Sequence, residues 1–163
     1  MKTFEELKED LLERAKKHHA CQDGYSMGLN AKSKQDLLKA ITDNWYWVLS
    51  TSKMIDANYL EKNFTEEELT EAGIYTRKEH TSNAKSFACG SATVKAYGSA
   101  TVKAYGSATV EAYGSATVKA YDNSYVEDCT GNINAVSDHG IVKDYYNHKI
   151  YIKKGKFEII EIE

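Results

Sequence analysis

Proline is absent from all 163 residues. Every backbone N–H is therefore available to a hydrogen-bond ladder, which suits stacked strands. Cysteine is scarce. Cys21, Cys89 and Cys129 are an odd number with no close spacing, so free thiols in a reducing compartment are expected. An excess of one charge is also missing. Residues 1–81 carry 12 Lys and Arg against 15 Asp and Glu, and the remainder carry nine of each. Neither half has the basic surplus that nucleic-acid binding requires. No apolar run approaches a membrane span, and MKTFEELKED lacks the apolar core of a signal peptide. A soluble cytoplasmic protein is expected, with neither nucleic acid nor membrane as a partner.

The motifs of chemistry are equally sparse. There is no Cys-x-x-Cys, no His-Glu-x-x-His, no phosphate loop and no Gly-x-Ser-x-Gly. His18, His19 and Cys21 are ligand-type residues, but helical neighbours diverge by about 100° and do not converge on one metal. Ser137-Asp138-His139 has the composition of a triad without the spatial logic of one. Glu111 and Glu127 read as rungs of a charge ladder rather than an acid–base pair, and the regular Thr93, Thr101, Thr109 and Thr117 lie beside Lys and Tyr that spoil an ice-binding plane. No catalytic residue, metal or cofactor is expected.

What the chain does have is repetition. Gly90 to Tyr121 reads GSATVKAY, GSATVKAY, GSATVEAY, GSATVKAY, differing only at Glu111. A fixed short period marks a repeat architecture. Within one unit Ala100, Val102 and Ala104 alternate with Thr101, Lys103 and Tyr105, the period of a strand, and Gly98-Ser99 makes the bend. Burying an unpaired ammonium is costly, so the Ala-Val-Ala face points inward. That thin face suits a parallel β-solenoid with two units per coil better than an antiparallel meander. The general rule for crossovers makes it right-handed.

Weaker copies extend the pattern. Ser82 to Cys89 offers Ala84, Ser86 and Ala88 inward. Asp122 to Cys129 offers Ser124, Val126 and Asp128. In the poorest copy, Asn132 and Asn134 suggest an amide ladder or a bulge. Asp138 to Tyr145 recovers Val142, and Tyr146 to Lys153 offers His148, Ile150 and Ile152. Stacking at ~4.8 Å per coil gives a rod of about 20 Å. It aligns Tyr97, Tyr113 and Tyr145 on one side and Tyr105 and Tyr121 on the other. Lys95 then lies on Glu111, and Lys103 on Lys119.

Residues 1–80 read as helices. Thr3-Phe4-Glu5-Glu6 and Thr65-Glu66-Glu67-Glu68 are capping boxes. The first helix runs to about Ala20, Asp23-Gly24 is a turn, and Ser33 starts a helix carrying Leu37, Leu38, Ile41, Trp45 and Val48. A short helix covers about Lys53 to Lys62, and Gly73 ends the last. This region is expected to cap residues 81–153, since repeat arrays need caps. Residues 154–163 are expected to complete a C-terminal hairpin, with Lys153 to Lys156 as its turn, a bulge at Ile159-Ile160, and Glu158, Glu161 and Glu163 blunting the edge. The fold class is α+β.

The repeat AYGSATVKAYGSATV and the lead-in ANYLEKNFTEEELTEAGIYTRKEH resemble octapeptide-repeat proteins of gut bacteria and of their phages and mobile elements. That resemblance implies a β-solenoid, an accessory and phage-borne setting, and hence a host's cytoplasm. It brings no catalytic residues.

Equal units offer area rather than a point of convergence. The leading expectation is a non-enzymatic protein-binding surface made of Lys95, Tyr97, Lys103, Tyr105, Glu111, Tyr113, Lys119 and Tyr121, with a protein partner. The alternatives are self-assembly as a homodimer through Phe157, Ile159, Ile160 and Ile162, and a small-ligand or enzymatic pocket at the helical junction near Trp45, Trp47 and Tyr75.

Overall fold

The computed structural model describes residues 1–132 and 135–162. The chain forms two compact units, Met1–Ile74 and Tyr75–Glu163.

The helical unit begins with α1 (Phe4–Lys17). Thr3 Oγ1 accepts from Glu6 N–H at 3.3 Å, and Glu6 Oε2 accepts from Thr3 N–H at 2.9 Å. These bonds hold the Glu6 carboxyl below its ordinary range. Leu7, Leu11 and Ala15 are its buried stripe. The expected turn at Asp23-Gly24 is instead the first turn of α2 (Gln22–Asn30), capped by the Cys21 thiol, whose Sγ accepts from Gly24 N–H at 3.4 Å. Asp23 in that first turn faces the positive end of the helix dipole. No residue of α2 is buried, so it has no apolar stripe for the sequence to display.

Ser33 caps α3 (Lys34–Asp43), which stops five residues before the expected Val48. The chain then loosens into a π-helical turn, Trp47–Thr51, with Trp45 and Val48 buried. The next helix, α4 (Ala57–Asn63), starts later than expected because Asp56 caps it by accepting from Tyr59 N–H at 2.8 Å. In α5 (Glu66–Glu71) the Thr65–Glu68 capping box is present in both directions, and Gly73 follows at φ 70°.

The second unit is a parallel β-solenoid of about four coils, each made of two octapeptide units. One sheet runs β1 (Ile74–Tyr75), β3 (Lys85–Ala88), β5 (Thr101–Ala104), β7 (Thr117–Ala120), β9 (Ala135–Val136). The other contains β2 (Glu79–Ser82), β4 (Thr93–Ala96), β6 (Thr109–Ala112), β8 (Tyr125–Asp128), β10 (Ile141–Asp144) and β11 (Lys149–Ile152). Residues 16 apart are partners in the repeats: Val94 with Val110, Val102 with Val118. Between sheets the chain turns on Gly-Ser. Gly98, Gly106 and Gly114 have φ from 58° to 67°, and the following Ala N–H donates to the Tyr carbonyl three residues back at 3.1 to 3.2 Å. A positive φ at the first central residue alone is the II′ arrangement. Asp122 and Asp138 take the same left-handed position in the later coils, at φ 52° and 55°, a conformation that Asp tolerates better than most residues.

The core is the expected Ala-Val-Ala layer. Ala96, Ala104 and Ala112 and Val94, Val102 and Val110 are fully buried. Tyr75 packs against its first coil and stacks on His80, ring centroids 4.3 Å apart. Two polar positions inside the last coils are satisfied locally. Asp128 Oδ1 accepts from Thr130 N–H and Oγ1, at 2.9 and 2.6 Å. Asp144 accepts from Asn147 N–H and Nδ2, both at 2.8 Å, and these bonds hold its carboxyl below the usual range.

Three expectations fail at the ends. Ala84 is exposed, because the rod begins earlier, with β2 pairing β4. The unit from Tyr146 to Lys153 does not continue the parallel stack. The Asp144–Asn147 bonds turn the chain back, and β11 pairs antiparallel with β10, Val142 opposite Tyr151. Tyr151 therefore packs on the core, while His148 and Ile150 are exposed and Ile152 is half-buried. The hairpin is thus one element earlier than expected. Lys153 to Lys156 does turn, with Lys156 N–H donating to Lys153 O at 3.2 Å, but residues 157–162 form no strand and make no ladder with β11. Asn134 and Glu163 lie outside the described residues. Asn132 Nδ2 donates to Ala116 O at 3.0 Å, one coil below.

Candidate interaction surface

Alternation along each strand decides which side chains reach the outside of the rod, and stacking decides what each one meets. The two sheets carry the same octapeptide and yet present different surfaces.

On the sheet of β2, β4, β6, β8 and β10, the outward row reads Thr81, Lys95, Glu111, Glu127, Lys143, with Glu79 in the neighbouring row opposite Thr93. The charges are answered locally. Lys95 Nζ lies 3.0 Å from Glu79 Oε1, and that contact raises the Lys95 pKa. Lys95 stands beside Glu111 in the register, as expected. Glu111 in turn accepts from the Tyr113 hydroxyl at 2.9 Å, which pushes the phenol up to about 12. Glu127 accepts from both Tyr125 and Tyr145 hydroxyls at 3.3 Å. Lys143 Nζ sits 4.5 Å from the Tyr145 ring centre. Tyr97 and Tyr113 stack, centroids 5.1 Å apart, and Tyr97 is exposed. Glu111 and Glu127 do stack, each engaged by a phenol, as rungs of a ladder.

On the sheet of β3, β5 and β7 the outward rows are Lys85-Thr101-Thr117 and Phe87-Lys103-Lys119. No carboxylate interrupts these rows. Lys85 and Lys103 approach the Phe87 ring, at 5.2 and 5.7 Å from its centre. Lys103 is held below its ordinary pKa by partial burial, and then by its neighbours Lys85 and Lys119. The Thr101 and Thr117 hydroxyls are 3.4 Å apart. Tyr105 and Tyr121 stack closely at 4.5 Å, but Tyr105 is only 1% exposed and offers nothing to a partner. Of the eight surface residues expected from sequence, the strands thus place Lys103 and Lys119 on one face, Lys95 and Glu111 on the other, and the tyrosines at the corners. Lys85 joins the basic face, whereas Phe87, in the same unit, is only 3% exposed and offers nothing to a partner. Their unit departs from the repeat sequence, and only the 16-residue register reveals the alignment.

The remaining expectations are dispersed. Phe157 is partly covered, with the His139 ring edge-on at 5.7 Å. Ile159, Ile160 and Ile162 are exposed. Ser137 Oγ donates to Asp138 at 3.2 Å while His139 meets Phe157, so no relay forms. Among the described residues, no three His, Cys, Asp or Glu side chains cluster to hold a metal, and no helix is long and apolar enough to cross a membrane. A cavity of about 340 Å³ lies within the helical unit, with Trp47 in its wall; Trp45 and Tyr75 do not line it.

These features define an α+β protein whose second unit is a β-solenoid with one charge-balanced and one basic outer face. No family model matches the chain, and no curated protein or solved structure matches it.

Proposed function

We propose that the protein is a non-enzymatic binding module whose basic solenoid face takes an acidic segment of a partner protein. The observation that carries this is the uninterrupted set Lys85, Lys103 and Lys119, without a carboxylate in its rows, on a rod whose opposite face neutralises its own charges. Lysines crowded at this spacing repel one another, and an opposing carboxylate relieves that repulsion. In the phage-borne setting that the octapeptide resemblance implies, the partner is a host defence or replication protein, met in the host cytoplasm.

The test is affinity capture of the full chain from host lysate with mass spectrometry, comparing two variants. Lys85→Glu/Lys103→Glu/Lys119→Glu is expected to reduce the recovered partner at least tenfold, since like charges across an interface cost several kcal/mol. Tyr97→Ser/Tyr113→Ser, on the balanced face, is expected to retain it. Equal recovery with the charge-reversed variant, at low and high salt alike, sinks the proposal.

A second reading has its own support at the C-terminus. Ile159, Ile160 and Ile162 are 75, 76 and 91% exposed, and they follow in the chain the edge strand β11, whose Ile150 is also exposed. Contiguous exposed apolar residues mark association sites, and the outer side of β11 is open to pairing. Self-association as a homodimer through this end predicts concentration-dependent sedimentation that Ile159→Lys/Ile162→Lys abolishes. A wild-type protein that sediments as a monomer at every concentration removes this reading.

A further inference from the structure

The helical unit holds an apolar cavity of about 340 Å³ between α1, α2, α3 and the π-helical turn. Leu11, Leu37, Ile41, Val48, Met54 and Trp47 are among its lining residues. No Lys, Arg, Asp or Glu lines it. Its polar lining is limited to His19, Cys21, Tyr25, Asn44 and the Trp47 indole, so a charged guest would lose its water for few polar contacts in exchange. An apolar cavity of about 150 Å³ takes benzene, so this one suits roughly twice that bulk.

One polar group is held in place. Asn44 Nδ2 donates to Ala40 O at 3.0 Å and to Met27 Sδ at 3.6 Å. Those bonds fix the amide and turn Oδ1 towards α2, 3.4 Å from where a Cβ on Gly24 would stand. The exposed amide oxygen is an acceptor without a proton of its own, so it selects a guest with an N–H or O–H.

The glycines of α2 give an independent indication. Gly24 and Gly28 are one turn apart and both face the cavity. Neither has a left-handed φ, so no backbone conformation calls for glycine. A methyl at Gly24 would meet only side-chain atoms, the nearest at 3.4 Å, and at Gly28 only Leu12 Cδ2 at 3.3 Å. The contact at Gly28 is tight, but its partner is the far end of a flexible leucine side chain rather than backbone. Glycine inside a helix is unfavourable relative to alanine, and what the pair preserves is open volume. The π-helical turn beside it, which sets Trp47 and Val48 on the wall, is a distortion frequently found at functional sites.

We infer that the helical unit binds a small uncharged molecule, an apolar body of about two fused rings or an equivalent chain with a single hydrogen-bond donor directed at Asn44 Oδ1. This site is separate from the solenoid face and stands or falls without it.

The experiment is heteronuclear NMR titration of the full chain with 2-naphthol, and with 2-methylnaphthalene as the analogue lacking the donor. The expected result is saturable shifts at the Gly24 and Gly28 amides and the Asn44 side-chain amide with 2-naphthol, and binding about tenfold weaker for the analogue. Gly28→Leu, which fills the cavity, is expected to abolish the shifts. Gly24→Ala/Gly28→Ala, which narrows the cavity while favouring the helix, is expected to weaken binding in a protein that remains folded. Absence of saturable shifts with both compounds overturns the inference. So does unchanged affinity in the folded double-alanine variant, and equal affinity for the two naphthalenes overturns the role of Asn44.

Discussion

Leucine in place of Ala108 is expected to destabilise the solenoid by about 3 kcal/mol, the upper part of the range for overpacking a filled core. Ala108 is fully buried, with Ala92 one coil below and Ser124 one coil above, and all three are inaccessible. The coils cannot spread apart to admit three more carbons. Thr109 N–H donates to Ala92 O and Tyr125 N–H donates to Ala108 O, both at 2.9 Å, so the inter-coil spacing is fixed on either side of the substituted residue. A layer built from Ala and Val also has no long side chain to re-aim. With a urea dependence of about 2 kcal/mol per molar, the unfolding midpoint should fall by about 1.5 M. Both tryptophans belong to the helical unit, so the strand signal in far-ultraviolet circular dichroism follows the solenoid while tryptophan fluorescence follows the helices. Ser107→Leu, one residue away on the exposed turn, should change stability by no more than about 0.5 kcal/mol. A midpoint for Ala108→Leu equal to that of the wild type would mean that the core is not closed as described.

The second large effect is a difference between two identical sequences. Gly98 and Gly106 both stand in AYGSATV and both adopt a left-handed φ, 58° and 62°. A Cβ on Gly98 would meet nothing within 4 Å, whereas a Cβ on Gly106 would stand 3.1 Å from Gly90 N and 3.4 Å from Gly90 O, both backbone atoms. Alanine at either position incurs the left-handed penalty of roughly 1–2 kcal/mol. At Gly106 the added contact can be relieved only by moving the coil below. Gly106→Ala should therefore exceed Gly98→Ala by about 1 kcal/mol, within the range of single-residue strain effects, when the two are compared by urea denaturation. Equal losses would show that position in the stack is irrelevant to the turn.

That comparison indicates where the sequence was sufficient and where it was not. The inward Ala-Val-Ala layer, the two-unit coil and both capping boxes were legible, because each is written in local spacing: period two at Val94 and Val102, Thr followed three residues later by Glu at Thr3 and Thr65. Features set by what stands next to a residue in space were not. Helix α2 buries none of its residues, so Asp23-Gly24 looked like a turn. Ile150 looked like a core residue until the reversal at Asp144–Asn147 placed Tyr151 there instead. Tyr105 and Tyr97 are the same letter in the same repeat, one inaccessible and one open. The candidate surface was half legible. Its lysines were visible, but the separation into a balanced and a basic face follows from which unlike residues, Glu79, Phe87, Glu127 or Lys143, share each stack.

The octapeptide is half a coil, and this gives the copy number a parity. Consecutive units fall on opposite sheets, while units two apart share one. Gain or loss of two copies lengthens or shortens the rod and leaves every later residue on its own side. Gain or loss of one copy transfers everything downstream across the rod. Glu127 and Lys143 would then continue the row that now holds Lys103 and Lys119, and a carboxylate would enter the basic face. Variants of this chain that keep its two surfaces distinct should therefore differ from it by even numbers of repeats.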